Sequence, residues 1–182
     1  DQDASRAELV AADGPALPLK VGDQMLITAG GGPRPDHVDA PLVFIGYGLH
    51  LPKQGHDDFA GQDLKGKIVV VLGGGPADLS GALKSNARFE RNRELGKLGV
   101  LGIISLTTPK QVEILWERQK LIARGPGMYL ADPKLRDSSQ PFFTATFDPA
   151  QSQILFKDSG HGFQEMAALA DVGREISATL DP

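Results

Sequence analysis

Pro41-Leu-Val-Phe-Ile-Gly-Tyr-Gly-Leu49, followed by Asp57-Asp-Phe-Ala-Gly-Gln-Asp-Leu-Lys-Gly-Lys-Ile-Val-Val-Val-Leu72, decides how this chain folds. Each half contains a short unbroken apolar run, Leu42 to Ile45 and Ile68 to Leu72, bounded by glycine or proline. Runs of that length without polar alternation predict strands covered on both faces. Lys65-Gly66-Lys67 predicts the turn into the second strand, since Gly66 enters a positive φ without a Cβ clash. The segment builds an interior and holds no evident reaction centre.

Moving toward the C-terminus, Gly73-Gly-Gly-Pro76 leads into a predicted helix from about Gly81 to Leu98. Leu83, Ala87, Leu95 and Leu98 fall near one face of it. A strand follows at Val100 to Leu106, and strand–helix–strand predicts parallel pairing through a right-handed crossover. Thr108, Pro109 and Gln111 match the N-cap, first helical position and capping box of a second helix. Val112, Leu115, Trp116 and Gln119 continue at helical spacing, and Arg124-Gly125-Pro126 reads as its stop. Met128–Ala131 and Phe142–Phe147 are further strand candidates; the second alternates Phe143, Ala145 and Phe147 against Thr144 and Thr146. Asp148 to Gln151 repeats the capping-box pattern before a short helix through Phe156. A last helix, about Gly162 to Gly173, turns Phe163, Met166, Ala167 and Ala170 inward. Toward the N-terminus, Glu8–Ala12 and Gln24–Thr28 are candidate short strands, and Gly30–Pro35 is a connection.

The 182 residues suffice for one well-buried domain, and 41% apolar with 23% charged residues is a folded, not a disordered, balance. A net charge of −4 argues against a nucleic-acid partner. No apolar run approaches the roughly 20 residues of a membrane helix. The absence of cysteine excludes disulfides and thiolate zinc sites without fixing the compartment. With no initiator Met and no signal-peptide pattern, the start of the sequence reads as a processing boundary.

Leu42–Gly48, then Asp57-Asp58-Phe59 with Gly61, Asp63 and Lys65–Val70, resemble the protease-associated domain of di-zinc aminopeptidases and their glutamate-carboxypeptidase and transferrin-receptor relatives. Gly96 and Gly99 before Ile103-Ile104, and Leu155, Gly160-His-Gly-Phe163 and Leu169, follow in the same order. The stretch from the Trp116 helix to Ser139 is longer than a minimal domain of this kind. The resemblance implies a swivelling β/β/α fold, a mixed sheet or open barrel flanked by helices, over residues 41–171. Residues 1–40 and 172–182 are then connections toward a catalytic portion elsewhere. It also implies a secreted or periplasmic setting.

The resembling peptidases hold two metals with a His-x-Asp pair, a bridging Asp, adjacent Glu residues and a terminal His. His37-Val38-Asp39 has the first spacing but lies in a Pro/Gly-rich loop, and no Glu-Glu pair exists. The reading is therefore no catalytic residue, no metal ligand and no cofactor in this chain, with zinc expected in the catalytic portion. His56-Asp57-Asp58 is the densest cluster of potential ligands, yet a hard cation wants about six oxygens. The plainer reading has Asp57 or Asp58 accepting backbone N–H bonds before Phe59. His161 and Glu165 can share a helical face but lack a third ligand. Gly73–Pro76 could cradle an anion, yet it lacks the Lys-Ser/Thr of a nucleotide loop; Gly46-Tyr47-Gly48 lacks the helix a dinucleotide fingerprint opens. Lys84, Arg88, Arg91, Arg93 and Lys97 oppose only Glu90 and Glu94, which reads as a solvated face or an acidic-partner surface. No Gly-x-Ser-x-Gly elbow is present.

The expected function is thus a non-catalytic domain that shapes substrate access and contacts peptides or proteins. Its partners would be its own catalytic domain and the parent's substrate, with no membrane. His56, Asp57, Asp58, Arg88 and Arg91 are the candidate partner- or substrate-facing residues. Two alternatives stay open: a self-sufficient peptide- or protein-binding scaffold, and an anion-binding α/β enzyme using Gly73–Pro76.

Overall fold

Val69 and Val71 point to one side of their strand and Val70 and Leu72 to the other, and all four are buried. That is why the run is unbroken: both faces of the sheet are covered. The computed structural model describes residues 2–10, 14–29, 35–108, 111–125, 130–135, 141–171 and 178–180. In chain order the strands are β1 (Ala7–Leu9), β2 (Leu17–Leu19), β3 (Met25–Ala29), β4 (Leu42–Phe44), β5 (His50–Leu51), β6 (His56–Asp57), β7 (Ile68–Leu72), β8 (Gly102–Leu106), β9 (Phe143–Phe147) and β10 (Ala178–Thr179). The helices are α1 (Gly81–Lys97), α2 (Trp116–Ala123) and α3 (Phe163–Asp171).

The main sheet runs β10-β4-β7-β8-β9-β3. Its four inner strands are parallel, and the outer two, β10 and β3, are antiparallel to their neighbours. This is a mixed α/β fold. β1 with β2, and β5 with β6, form two small antiparallel ribbons.

One face of the sheet packs Val43, Val69, Val71 and Ile103 against Leu64, Leu95 of α1 and Val100. The opposite face sets Phe44, Val70, Ile104 and Phe147 against the 3-10 turn Ser152–Phe156 and α3. Phe156 lies at its centre: its ring meets Phe44 edge-on at 5.5 Å and Phe163 at 5.6 Å. From α3, Phe163, Met166, Ala167 and Ala170 are buried, as their spacing predicts.

Local chemistry accounts for most boundaries. Ser80 caps α1 by accepting the N–H of Leu83 at 3.3 Å. Asp148 accepts the N–H of Ala150 at 3.0 Å and the amide of Gln151 at 2.8 Å, opening the 3-10 turn. Gly66 has φ +72°, as the turn before β7 requires.

The Thr108 capping box does not open the helix that carries Trp116; Gln111 lies in a 3-10 turn, its N–H bonding Thr108 O at 2.9 Å. α2 begins at Trp116 with Leu115 at its N-cap. Thr108 Oγ1 instead bonds Gln111 Oε1 at 3.0 Å, and Pro109 lies outside the described residues. Leu98 is largely exposed rather than on the buried face of α1. Of the strand expected at Met128–Ala131, Met128 and Tyr129 lie outside the described residues, and Leu130 and Ala131 are in no strand. The candidate strand at Glu8–Ala12 overlaps β1 (Ala7–Leu9), whereas β2, β5, β6 and β10, of two or three residues each, were not legible in the sequence.

Candidate partner-facing site

After β4 the chain must leave the sheet and turn back, and Ile45-Gly46-Tyr47-Gly48 does this. Ile45 N–H still bonds Val70 O at 3.1 Å, and Gly46 O accepts the N–H of Leu72 at 2.8 Å. Gly48 has φ +64°, and a methyl there would stand 2.9 Å from Val71 Cγ1 and 3.0 Å from Arg91 Cδ. The turn thus presses on both the sheet and α1. It delivers the β5–β6 ribbon, which carries the dense His/Asp cluster.

The two carboxylates are engaged by backbone, as the plainer reading expects. Asp58 Oδ2 accepts the N–H of Leu49 at 2.9 Å. Asp57 Oδ1 accepts the N–H of Phe59 at 3.0 Å and lies 2.9 Å from His50 Nδ1. The His50 ring stacks on Phe59, nearly parallel at 5.5 Å. His56 Nε2 lies 3.3 Å from Asp58 Oδ1, within ion-pair distance but out of line for a hydrogen bond. Both of those side chains are close to buried.

Burial pushes the Asp58 carboxyl up, opposed by the Leu49 N–H, His56 and the Gly48 N–H. The folded state therefore favours the protonated acid. Asp58 contributes stability at acid pH, and that contribution is lost as pH rises from the ordinary aspartate range through the raised value. Asp58→Asn keeps an acceptor for Leu49 and removes the charge. Relative to wild type it is expected to gain stability as pH rises from the ordinary aspartate range through the raised value, read by urea unfolding at each pH. A difference independent of pH would contradict the assignment. Asp58→Ala orphans the Leu49 N–H and is expected to cost about 1–3 kcal/mol.

Arg91 joins this group from α1. Its guanidinium donates to Tyr47 O at 3.1 Å, and its Nε is enclosed without a hydrogen-bond partner among the described residues. Burial, and secondarily the charge of Arg88, lowers it to about 10, while Asp58 acts in the opposite sense. It stays charged at neutral pH. Tyr47 in turn donates its O–H to Asp171 Oδ1 at the end of α3. Burial first, then Asp171, raises that phenol.

The structure thus gathers His56, Asp58 and Arg91 around one turn, with Asp57 at its margin. Arg88 stands apart, exposed and 3.4 Å from Ser85 Oγ. The other helix-face charges are mostly occupied: Arg93 pairs with Glu90, Lys97 with Glu94, and Lys84 donates to Pro76 O. Arg88 and the His50–Asp57 edge remain accessible to a partner. Tyr47 and Asp171 were not anticipated, since nothing local signals a contact across 124 residues.

The remaining motifs resolve simply. His37 and Asp39 are exposed in the coil between β3 and β4, and His161 and Glu165 are exposed at the start of α3. In Gly73–Pro76, Gly73 N–H bonds Leu106 O at 2.7 Å, and a methyl on Gly75 would stand 2.6 Å from Lys84 Cδ. Among the described residues no three His, Asp or Glu come together as a group that could hold a metal ion. No described helix is long and apolar enough to cross a membrane.

No protein-family model matches the sequence, and no curated protein matches it. Among solved structures, an aminopeptidase from Aneurinibacillus sp. strain AM-1 is similar, with 23% sequence identity and a TM-score of 0.37. The match covers 84% of this chain and 26% of that one.

Proposed function

We propose that this chain is a non-catalytic protease-associated domain belonging to a zinc-dependent aminopeptidase. In this reading it walls part of the substrate cleft and contacts peptide or protein chains. The observation that carries the proposal is the fate of Asp57 and Asp58. The densest set of chemically capable residues holds the Phe59 and Leu49 backbone N–H groups at 3.0 and 2.9 Å. The block from Leu42 to Val70, whose residues bear the family resemblance, makes two adjacent parallel strands with the β5–β6 ribbon between them in sequence. A rigid wall of this kind selects substrates by restricting access to the metals. Zinc belongs to a catalytic portion outside these residues, and a secreted or periplasmic setting follows from the same resemblance.

The test is hydrolysis of leucine p-nitroanilide by the purified chain with added Zn²⁺. The expected outcome is a rate equal to the metal-only blank. Turnover that rises with protein concentration and is abolished by a chelator would overturn the reading. So would an encoding reading frame lacking the His-x-Asp, Glu-Glu and terminal His set beyond these residues.

A further inference from the structure

The outer face of α2 departs from ordinary helix chemistry. Of the ten exposed large apolar side chains among the described residues, Ile114, Leu115, Leu121 and Ile122 fall within nine positions, Leu115 and Leu121 being 75% and 72% exposed. No residue of α2 is buried. The helix is held from its inner side: the Trp116 indole N–H donates to Asp23 O, and Lys120 Nζ lies 3.0 Å from Asp23 Oδ1 and 2.7 Å from Glu117. At 3.6 residues per turn, Arg118 and Leu121 lie in the middle of the outer face. Leu115 and Ile122 flank one side, Glu117 and Arg124 the other. Among the described residues no carboxylate lies within ion-pair distance of Arg118 or Arg124.

We propose that this face docks an amphipathic protein segment carrying aliphatic side chains and a carboxylate that receives Arg118. Clustered exposed apolar residues mark interaction sites, and arginine at the centre of such a patch is a common energetic anchor. The charge pattern selects the occupant. A second copy on a two-fold axis would bring Arg118 against its own counterpart. A bilayer would draw a central guanidinium toward the acyl chains, where interfacial helices keep charge on the rim. A carboxylate-bearing apolar segment satisfies both components, because the planar fork pairs bidentately with it. This surface is separate from the β5–β6 turn, and the proposal stands whether or not the parent is a peptidase.

The whole chain is panned against a displayed library of random 12-residue peptides, and enriched peptides are titrated by fluorescence anisotropy. Enriched sequences are expected to combine Leu, Ile or Phe with Asp or Glu. Arg118→Glu and Leu121→Asp should each weaken binding at least tenfold with the far-UV circular dichroism unchanged. Replacing the peptide's acid by Lys should restore binding to Arg118→Glu. No enrichment, enrichment of basic peptides, or binding indifferent to both substitutions overturns the proposal. Sedimentation with phosphatidylserine vesicles that depends on Arg118, or an Arg118-dependent dimer in ultracentrifugation, overturns it in favour of a bilayer or a second copy.

Discussion

Phe156→Ala is expected to cost about 3–5 kcal/mol, the range for emptying a buried aromatic position. Phe156 is 1% exposed, and its ring is the only link between Phe44 of β4 and Phe163 of α3 in the aromatic contacts of the described residues. The short 3-10 turn that carries it also buries Leu155, and Gln153 Oε1 accepts the N–H of Phe163 at 2.8 Å, so the ring supplies the interlayer packing within a wider contact. Its loss leaves a cavity between layers, and neither layer can close without moving a strand or a helix. For a domain of this size the melting temperature falls by roughly 2–4 °C per kcal/mol. Urea unfolding monitored by circular dichroism measures the change. Phe156→Leu retains most of the volume and should cost less than about 1.5 kcal/mol. Equal losses for Ala and Leu would mean that the ring does not fill the interlayer space as described.

Gly48→Ala carries the second large effect, for two separable reasons. The left-handed φ of +64° strains any residue with a Cβ by about 1–2 kcal/mol. The new methyl also meets Val71 Cγ1 and Arg91 Cδ at 2.9 and 3.0 Å, and crowding of this kind costs about 1–3 kcal/mol. A total of roughly 2–5 kcal/mol is expected. Gly61→Ala is the control, because its φ of +69° is similar but nothing lies within 4 Å of an added methyl. It should show the strain alone. Gly48→Ala matching Gly61→Ala would remove crowding from the account and loosen the proposed contact between the turn and α1.

Much of this architecture was legible in the sequence, and the reasons are local. The unbroken run of β7 and the alternation of β9 are direct imprints of burial on two faces or one, and they survive in the structure. The α3 stripe is equally plain. The capping box at Thr108 misled because its pattern favours a helix start without being sufficient for one. Gln111 lies against Gly74, its amide 2.9 Å from where a methyl on that glycine would stand, and that tertiary contact overrides the local preference. The His56–Asp58 turn was legible in its chemistry, since short-range Asp-to-backbone bonds are common in such loops. Its geometry was not, because Arg91 and Tyr47 arrive from elements separated by 44 residues. The outward aliphatics of α2 were also hidden: helical spacing alone does not say which side faces the interior.

The edge pairing of β3 with β9 bears on how the chain is made. Met25 pairs with Phe147, and Leu42 O receives the N–H of Leu180 beside the last short strand. During ribosomal synthesis the early β3 therefore waits, unpaired, until β9 (Phe143–Phe147) has emerged. Pairings so distant in sequence are slow to nucleate, and bare strand edges in the interim are prone to intermolecular association. Yield of native protein should accordingly depend on chaperone supply and growth temperature more than its final thermodynamic stability would suggest.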